Sequence, residues 1–200
     1  MDAFTTLKAV AVPLDQANID TDQIIPARFL GRTRDRQVEG FFHDTRLDPN
    51  GRPREGVTLN NPAYKGARII VGNTNFACGS SRENAVTTMV DNGFRAFIAP
   101  SFGDIFFSNS VQIGLVPITL PQAQVKELME SALSGLDVTV DLESQTVTDA
   151  SGRSFAFEMD PFVRHSLLNG LDSIALTLQH GDAIGAFEAR TTQPVATTAL

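Results

Sequence analysis

The segment best suited to chemistry reads Asn75-Phe-Ala-Cys-Gly-Ser-Ser-Arg-Glu83. It places the hydroxyls of Ser80 and Ser81 and the guanidinium of Arg82 where a loop is expected to enter a helix. Backbone N–H groups at a helix start favour an anion, and a guanidinium matches a carboxylate with two parallel hydrogen bonds. The pattern therefore favours a carboxylate-binding site. Ser80 and Glu83 also fit an S-x-x-E capping box, in which Ser80 only caps the helix, so both interpretations stay open.

A second polar segment, Asn18-Ile-Asp-Thr-Asp22, precedes the first by more than fifty residues. Two acids that flank a threonine can orient a partner or accept a proton. The same residue types also form turns in which short polar side chains bond to their own backbone. The segment is therefore expected to be a loop whose role the residues alone leave open.

Arginines are concentrated in the first third of the chain, with acids among them, in a stretch that lacks periodicity. They are Arg28, Arg32, Arg34, Arg36, Arg46, Arg52 and Arg54. Such a stretch is either a solvated, salt-bridged loop or a clamp for an acidic ligand. Residues 31–56 are expected to form a mobile loop, because connections this long are usually functional or mobile.

The remaining pattern predicts an α/β fold built around these segments. Apolar runs predict strands at 7–14, 67–71, 95–99 and 115–120. Helical spacing predicts helices after Glu83, around Phe106 and after Pro121. Alternation at 136–142 and 155–159 predicts a hairpin that turns at Ser151-Gly152. Short helices are expected over 161–190 and a frayed tail from Thr191, all in one domain spanning 1–200.

Composition excludes several classes of protein. The chain has 200 residues, 42% of them hydrophobic, which is a globular composition. A net charge of −7 disfavours a nucleic-acid binder. One cysteine, Cys78, fits a reducing cytoplasm and cannot hold an iron–sulfur cluster by itself; it is expected to be a small buried apolar residue. The three histidines show no metal-ligand spacing, and we expect a cytoplasmic protein without a membrane span.

Taken together, the motifs resemble the small subunits of bacterial 3-isopropylmalate dehydratases, which belong to the aconitase superfamily. The matching segments follow one another in family order from residue 7 to 190: Val12-Pro-Leu-Asp15, Asn18-Ile-Asp-Thr-Asp-Gln-Ile-Ile-Pro26, Asn75-Phe-Ala-Cys-Gly-Ser-Ser-Arg-Glu83, Ile98-Ala-Pro-Ser-Phe-Gly-Asp-Ile-Phe-Phe107 and Asn169-Gly-Leu-Asp-Ser-Ile-Ala-Leu-Thr-Leu-Gln-His180. One such motif would be weak, whereas five in register are specific for the family.

The resemblance implies a single β/β/α swivelling domain of the aconitase type, with a mixed sheet and flanking helices. It implies a hydro-lyase of leucine biosynthesis that isomerises 2-isopropylmalate to 3-isopropylmalate through 2-isopropylmaleate. It also implies a large subunit that holds a [4Fe–4S] cluster and without which this chain is inactive. By the same resemblance Ser80 is the catalytic residue, and Ser81, Arg82, Thr21 and Asp22 bind the substrate.

Five residues in three places depart from the family pattern. Asn84-Ala-Val86-Thr stands where the family usually has His-Ala-Pro-Trp, Ala77 where glycine is usual, and Thr45 where tryptophan is usual. A related hydro-lyase acting on methylmalate, dimethylmalate or a homoaconitate-type substrate therefore remains an alternative. A stand-alone RNA-binding module is a further alternative, which the acidic charge disfavours.

Overall fold

A computed structural model describes residues 1–79 and 82–191 and has a mixed seven-stranded sheet at its centre. The strands of the described residues are β1 Thr6–Leu14, β2 Ile69–Gly72, β3 Ala96–Ala99, β4 Val116–Thr119, β5 Asp137–Asp141, β6 Thr146–Thr148 and β7 Ser154–Ala156. Their order in the sheet is β4-β3-β2-β1-β5-β6-β7.

Helices flank the sheet on both sides and also fill the connections. Within the same described ranges the α-helices are α1 Thr21–Ile24, α2 Arg34–Gln37, α3 His43–Arg46, α4 Glu83–Asp91, α5 Asp104–Ile113, α6 Gln122–Ala132, α7 Pro161–Asn169, α8 Ser173–Leu178 and α9 Gly181–Arg190. Short 3-10 helices lie at Ala27–Phe29, Val38–Gly40, Thr58–Asn60 and Pro62–Tyr64.

The sheet has a parallel half and an antiparallel half, which meet at β1. Ala11 of β1 lies opposite Ile69 of parallel β2, and Thr6 lies opposite Asp141 of antiparallel β5. The parallel strands β2 and β3 are buried throughout, because helices cover both faces. Strand β5 alternates between buried and less buried residues, as a strand with one covered face does. The prediction of an α/β fold with a mixed sheet is confirmed.

Two apolar cores lie on opposite faces of the sheet. On one face, Ile69 and Ile98 pack with Leu128 of α6. On the other, Ile70 and Phe97 pack with residues of α4 and of the loop after β2, among them Phe76. The residues predicted to form the apolar faces of α4 and α6 pack into these two cores. The helices predicted at these positions are therefore confirmed.

The antiparallel half differs from the sequence prediction. The sequence predicts one hairpin between 136–142 and 155–159, but β6 lies between β5 and β7 and pairs with both. Ser151-Gly152 therefore turns the chain from β6 into β7. Thr146-Val-Thr148 contains one apolar residue in three, which is too short a run to identify a strand from alternation.

Residues 31–56 also contain more regular structure than a loop. Helices α2 and α3 and one 3-10 helix occupy part of the segment, and two of its own residues, Phe41 and Phe42, are buried. The sequence prediction missed these elements, because a four-residue helix is about one turn and cannot show periodicity. Whether the segment is mobile in the free chain stays a prediction, as does the assignment of 1–200 to one domain. The predicted frayed tail is described only as far as Thr191.

Candidate active site

The predicted site residues that the structure describes, Thr21, Asp22 and Arg82, lie at the carboxyl ends of the parallel strands. The loops after β1, β2 and β3 meet there through backbone hydrogen bonds. Asn18 N donates to Thr74 O at 2.9 Å, and Phe76 N donates to Ser101 O at 2.9 Å. This is the edge of an open α/β sheet where ligands usually bind. The fold thus places the Asn18–Asp22 segment next to the Asn75–Glu83 segment.

Helix α1 is short but firmly capped. The Asp20 carboxylate accepts a hydrogen bond from Asp22 N at 2.7 Å, and Gln23 Oε1 accepts one from Asp20 N at 3.0 Å. Thr21 N donates to Cys78 O at 2.9 Å, and Thr21 is buried. A reciprocal capping box therefore fixes the backbone that presents Thr21 and Asp22. The loop expected over 18–22 therefore ends at Asp20, because Thr21 and Asp22 already belong to α1.

Arg82 and Asp22 form a two-pronged ion pair across the site. Arg82 Nη2 donates to Asp22 Oδ2 at 3.1 Å, and Nη1 donates to Oδ1. The Arg82 side chain is 17% exposed and that of Asp22 is 52% exposed. The more buried guanidinium is therefore held in a fixed plane by the more accessible carboxylate. The structure thus brings together Thr21, Asp22 and Arg82, three of the five predicted site residues.

Ser80 and Ser81, the other two, lie outside the described residues. In the sequence they stand between Gly79 and Arg82. Gly79 has a φ of +99°, and a Cβ placed on it would lie 2.2 Å from Asp20 Oδ2. Only glycine fits this position, because any side chain would displace the carboxylate that caps α1. The position directly before the serine pair in the sequence is therefore restricted to glycine.

Ala77 adopts a left-handed backbone with a φ of +56°. For a residue with a Cβ this conformation costs about 1–2 kcal/mol. The carbonyl of Ala77 is also closely approached by Gly103, whose absent Cβ would lie 2.5 Å from the Ala77 oxygen. The glycine usual at position 77 in the family would avoid the strain that Ala77 carries here.

The start of α4 differs from the capping-box prediction. The helix begins at Glu83, and Arg82 occupies the N-cap with extended backbone at φ −133° and ψ 103°. Ser80 is therefore not the residue at the N-cap, and the prediction of a Ser80–Glu83 capping box is wrong. Among the described residues no side chain caps this end, and the Ala85 N–H donates to Arg82 O at 3.1 Å. The N-terminal end of a helix favours an anion.

Asn84, one of the departures from the family, bonds to a residue that no sequence motif singles out. Asn84 Nδ2 donates to Gln37 Oε1 at 2.9 Å. Gln37 is buried, and its own amide donates to Leu30 O at 3.1 Å and to Arg32 O at 2.9 Å. The Gln37 amide thus uses both of its N–H donors and accepts one hydrogen bond, and these bonds join the first turn of α4 to Leu30 and Arg32.

Most arginines of the predicted loop have partners within the chain. Arg34 forms a two-pronged pair with Asp91 at 2.9 Å, and Arg32 lies 3.8 Å from Glu39. Arg28 pairs with Asp44. Hydrogen bonding from Arg28 lowers the pKa of Asp44 to about 2. The arrangement favours the salt-bridged loop over the clamp for an acidic ligand.

The cysteine and the cavities complete the surroundings of the site. Cys78 is half-buried rather than buried, with Sγ 3.6 Å from Ile19 O. A cavity of about 220 Å³ borders the site and is lined by Ala77, Gly79, Gly103, Asp104, Ile105 and Phe106. A larger cavity of about 560 Å³ lies between residues 53–64 and Leu133, and none of the described site residues lines it.

Within the described ranges, two further findings bear on function. No group of three His, Cys, Asp or Glu side chains there could hold a metal ion. No helix among these residues is long and apolar enough to cross a membrane.

Comparisons with known proteins agree with the motifs. The family model "Aconitase C-terminal domain" matches residues 1–123, "LeuD_N" matches 126–161, and a model of the C-terminal domain of the 3-isopropylmalate dehydratase small subunit matches 173–193. A 3-isopropylmalate dehydratase small subunit from Paracoccus denitrificans is 48% identical over 96% of this chain and 98% of its own length. One from Paramagnetospirillum magneticum is 49% identical over 94% and 95%.

A solved structure supports the fold. The crystal structure of 3-isopropylmalate dehydratase from Methanocaldococcus jannaschii has a TM-score of 0.65, with 24% identity over 92% of this chain and 99% of that one. The family resemblance inferred from five motifs is confirmed by the relatives that are 48% and 49% identical. The match of 1–123 also confirms the aconitase type of the fold. By sequence over nearly its full length, the chain belongs to the family of 3-isopropylmalate dehydratase small subunits.

Proposed function

We propose that this chain is the small subunit of a hydro-lyase, 3-isopropylmalate dehydratase, and that it supplies the proton-transferring and carboxylate-binding residues. The enzyme acts in leucine biosynthesis and works only when joined to its large subunit. The observation that carries the proposal is the pair of Arg82 with Asp22 beside buried Thr21. In the sequence, Ser80 and Ser81 directly precede Arg82.

The reaction moves a hydroxyl between two neighbouring carbons. A proton leaves one carbon of 2-isopropylmalate, and the hydroxyl leaves the next as water, which forms the double bond of 2-isopropylmaleate. Water then adds with the opposite regiochemistry and gives 3-isopropylmalate. Loss of the C–H proton beside a carboxylate places extra negative charge on that carboxylate, which therefore needs fixed hydrogen-bond donors.

Ser80 is assigned the proton transfer, as base in dehydration and as acid in rehydration. A serine hydroxyl is a weak base, so its anion must be stabilised by donors around it. The start of α4, where the helix dipole favours negative charge, is suited to this role. Ser81 is assigned a hydrogen bond to substrate.

Arg82 is assigned to a substrate carboxylate. Its two contacts with Asp22 use one N–H on each terminal nitrogen, and a guanidinium has five N–H groups. The remaining donors can face the substrate while Asp22 keeps the plane fixed. Thr21 and Asp22 complete the lining, and the capping box of α1 keeps them in place.

The iron–sulfur cluster that the family implies does not fit this chain. The sequence has one cysteine, and the described residues include no group of metal-ligating side chains. A [4Fe–4S] cluster takes three or four thiolates, so we place it on the large subunit. That subunit then supplies the Lewis acid that assists departure of the hydroxyl. The single cysteine also supports a cytoplasmic location.

The test is reconstitution of the chain with its large subunit under anaerobic conditions, followed by turnover of 2-isopropylmalate. Ser80→Ala should lower kcat by about 10²–10⁴-fold, which is the usual contribution of a positioned acid or base. Arg82→Lys should mainly raise KM, because lysine keeps the charge and loses the planar fork. The control is Ser134→Ala, at an exposed serine in the turn after α6.

Three outcomes would contradict these assignments. Near-normal kcat in Ser80→Ala would remove Ser80 from the chemistry, and a lower melting temperature with normal kcat would give it a structural role instead. Turnover of methylmalate, dimethylmalate or a homoaconitate-type substrate in place of 2-isopropylmalate would assign the enzyme to a related hydro-lyase.

A further inference from the structure

Gln37 is a buried polar residue that has no role in the proposed function as stated so far. It ends the four-residue helix α2, and it is 8% exposed. Burial of an amide lowers stability unless its donors and its acceptor find partners. The three partners of the Gln37 side chain lie in other segments of the chain. The amide therefore specifies how those segments are arranged.

Two of these bonds hold the segment that follows α1. Gln37 Nε2 donates to Leu30 O at 3.1 Å and to Arg32 O at 2.9 Å. A series of tight turns leads from α1 to these carbonyls, and in one of them Phe29 N donates to Pro26 O at 2.9 Å. Gln37 therefore restrains the continuation of α1, the helix on which two of the site residues lie.

The third bond holds the start of α4. Asn84 Nδ2 donates to Gln37 Oε1 at 2.9 Å. Asn84 follows Arg82, the N-cap residue, by two positions, and Ala85 N donates to Arg82 O at 3.1 Å in the same turn. The backbone that carries Arg82 is therefore linked through Asn84 to the same buried amide.

Gln37 thus bridges the two segments whose side chains form the ion pair of the site. The pair of Arg82 with Asp22 joins these segments on the solvent side, because the Asp22 side chain is 52% exposed. Gln37 joins them on the buried side. Exposed ion pairs contribute little by themselves, whereas hydrogen bonds in the interior are stronger because water does not compete for them.

Simple attachment of α2 to α4 does not require Gln37. Arg34 of α2 and Asp91 of α4 form a two-pronged ion pair at 2.9 Å. Asp91 lies about two turns along α4 from Asn84. The far end of α4 is therefore attached by other residues, and the bonds of Gln37 act at its first turn.

We infer that Gln37 is a positioning residue, which sets the start of α4 against α1 and thereby aims the Arg82 guanidinium at the substrate carboxylate. The inference rests on the proposed function, because that function assigns Arg82 to substrate binding. In this role Gln37 acts through Arg82 and does not touch the substrate. Its loss should therefore weaken substrate binding more than it slows the chemistry.

The kinetic test uses Gln37→Met in the enzyme reconstituted with its large subunit. Methionine is similar in length and has no hydrogen-bond donor. KM for 2-isopropylmalate should rise about tenfold, since one hydrogen bond to a charged group is worth at least that factor. The turnover number kcat should change by less than about threefold. The matched control is Arg34→Gln, which loosens α2 from α4, keeps the three bonds of Gln37 and should keep the wild-type KM.

Two further comparisons separate positioning from a purely structural role. In combination with Arg82→Lys, which lacks the planar fork, Gln37→Met should raise KM no further, because it acts through that fork. Asn84→Ala removes one of the three bonds and should also raise KM, whereas Asn84→His can still donate and should restore it. The two Asn84 variants keep the inference testable if Gln37→Met does not fold.

A readout in the free chain needs no substrate. The Nε–H resonance of Arg82 in a proton–nitrogen correlation spectrum is identified by its loss in Arg82→Lys. This resonance should move in Gln37→Met and in Asn84→Ala, and it should stay in place in Arg34→Gln.

Several results would overturn the inference. They are an unchanged Arg82 resonance, a wild-type KM in Gln37→Met even with a lower melting temperature, an equal rise of KM in Arg34→Gln, or additive effects in the double variant. Failure of the wild-type enzyme to convert 2-isopropylmalate would instead refute the proposed function, and a shifted Arg82 resonance would then still support the positioning role.

Discussion

Among substitutions of a loop glycine by alanine, Gly79→Ala should disturb the candidate active site most. The new Cβ would lie 2.2 Å from Asp20 Oδ2, and the residue keeps a φ of +99°. A left-handed backbone costs about 1–2 kcal/mol for a residue with a Cβ, and loss of the Asp20 cap costs about 0.5–2 kcal/mol. The expected loss of unfolding free energy is therefore about 1.5–4 kcal/mol.

Gly56→Ala is the matched control for backbone strain. Gly56 has a φ of +75°, and among the described atoms nothing lies within 4 Å of an added Cβ. It should lose only the backbone cost of about 1–2 kcal/mol. The difference between the two variants, measured by urea unfolding of the isolated chain, isolates the contact with Asp20.

A double variant tests the cause directly. Asp20→Gly removes the obstructing carboxylate, and glycine at an N-cap costs only a few tenths of a kcal/mol relative to the best caps. The pair Asp20→Gly with Gly79→Ala should therefore be less destabilised than the sum of the single changes. Equal losses in Gly79→Ala and Gly56→Ala, or additive losses in the double variant, would refute the reasoning.

Three further predictions follow from contacts around the site. Asn84→Ala should lower the unfolding free energy, measured in urea, by about 1–3 kcal/mol, because it leaves buried Gln37 Oε1 without a donor. Asn84→His can still donate and should lose less unfolding free energy. Equal losses in the two variants would show that this hydrogen bond does not stabilise the fold. Asp44→Asn should reduce stability at pH 6 by less than about 1 kcal/mol, since the pair with Arg28 is exposed. Because the pKa of Asp44 is lowered to about 2 from 3.8, the stabilisation is present above pH 4 and is lost as the pH falls towards 2; a difference between wild type and variant that stays constant from pH 6 to pH 3 would contradict this. In the free chain, the backbone amide hydrogens of residues 31–56 should exchange faster than those of β2, most clearly at exposed residues 50–56, and their exchange should slow in the complex. Strong protection of these amides in the free chain would mean that the segment is a fixed structural element.

The parallel half of the fold was predictable because its signals are local. Ile69–Gly72 and Ala96–Ala99 are continuous apolar runs, and the stripe of α6 recurs at helical spacing. Several elements of three or four residues, in which the pattern of their own type barely repeats, were missed. Helices α2 and α3 have four residues each and β6 has three. Their conformation depends on tertiary contacts, such as the burial of Phe41 and Phe42, which no local pattern encodes.

The site was predictable to a similar extent. The sequence identified Thr21, Asp22 and Arg82 through two polar segments and the family resemblance, and the fold places them together. The sequence prediction of where α4 starts was wrong. The S-x-x-E motif specifies only the residue types of a capping box, whereas the backbone angles place Arg82 at the N-cap. The Gln37–Asn84 bond joins residues 47 positions apart, and the Asp20–Gly79 contact is likewise long-range.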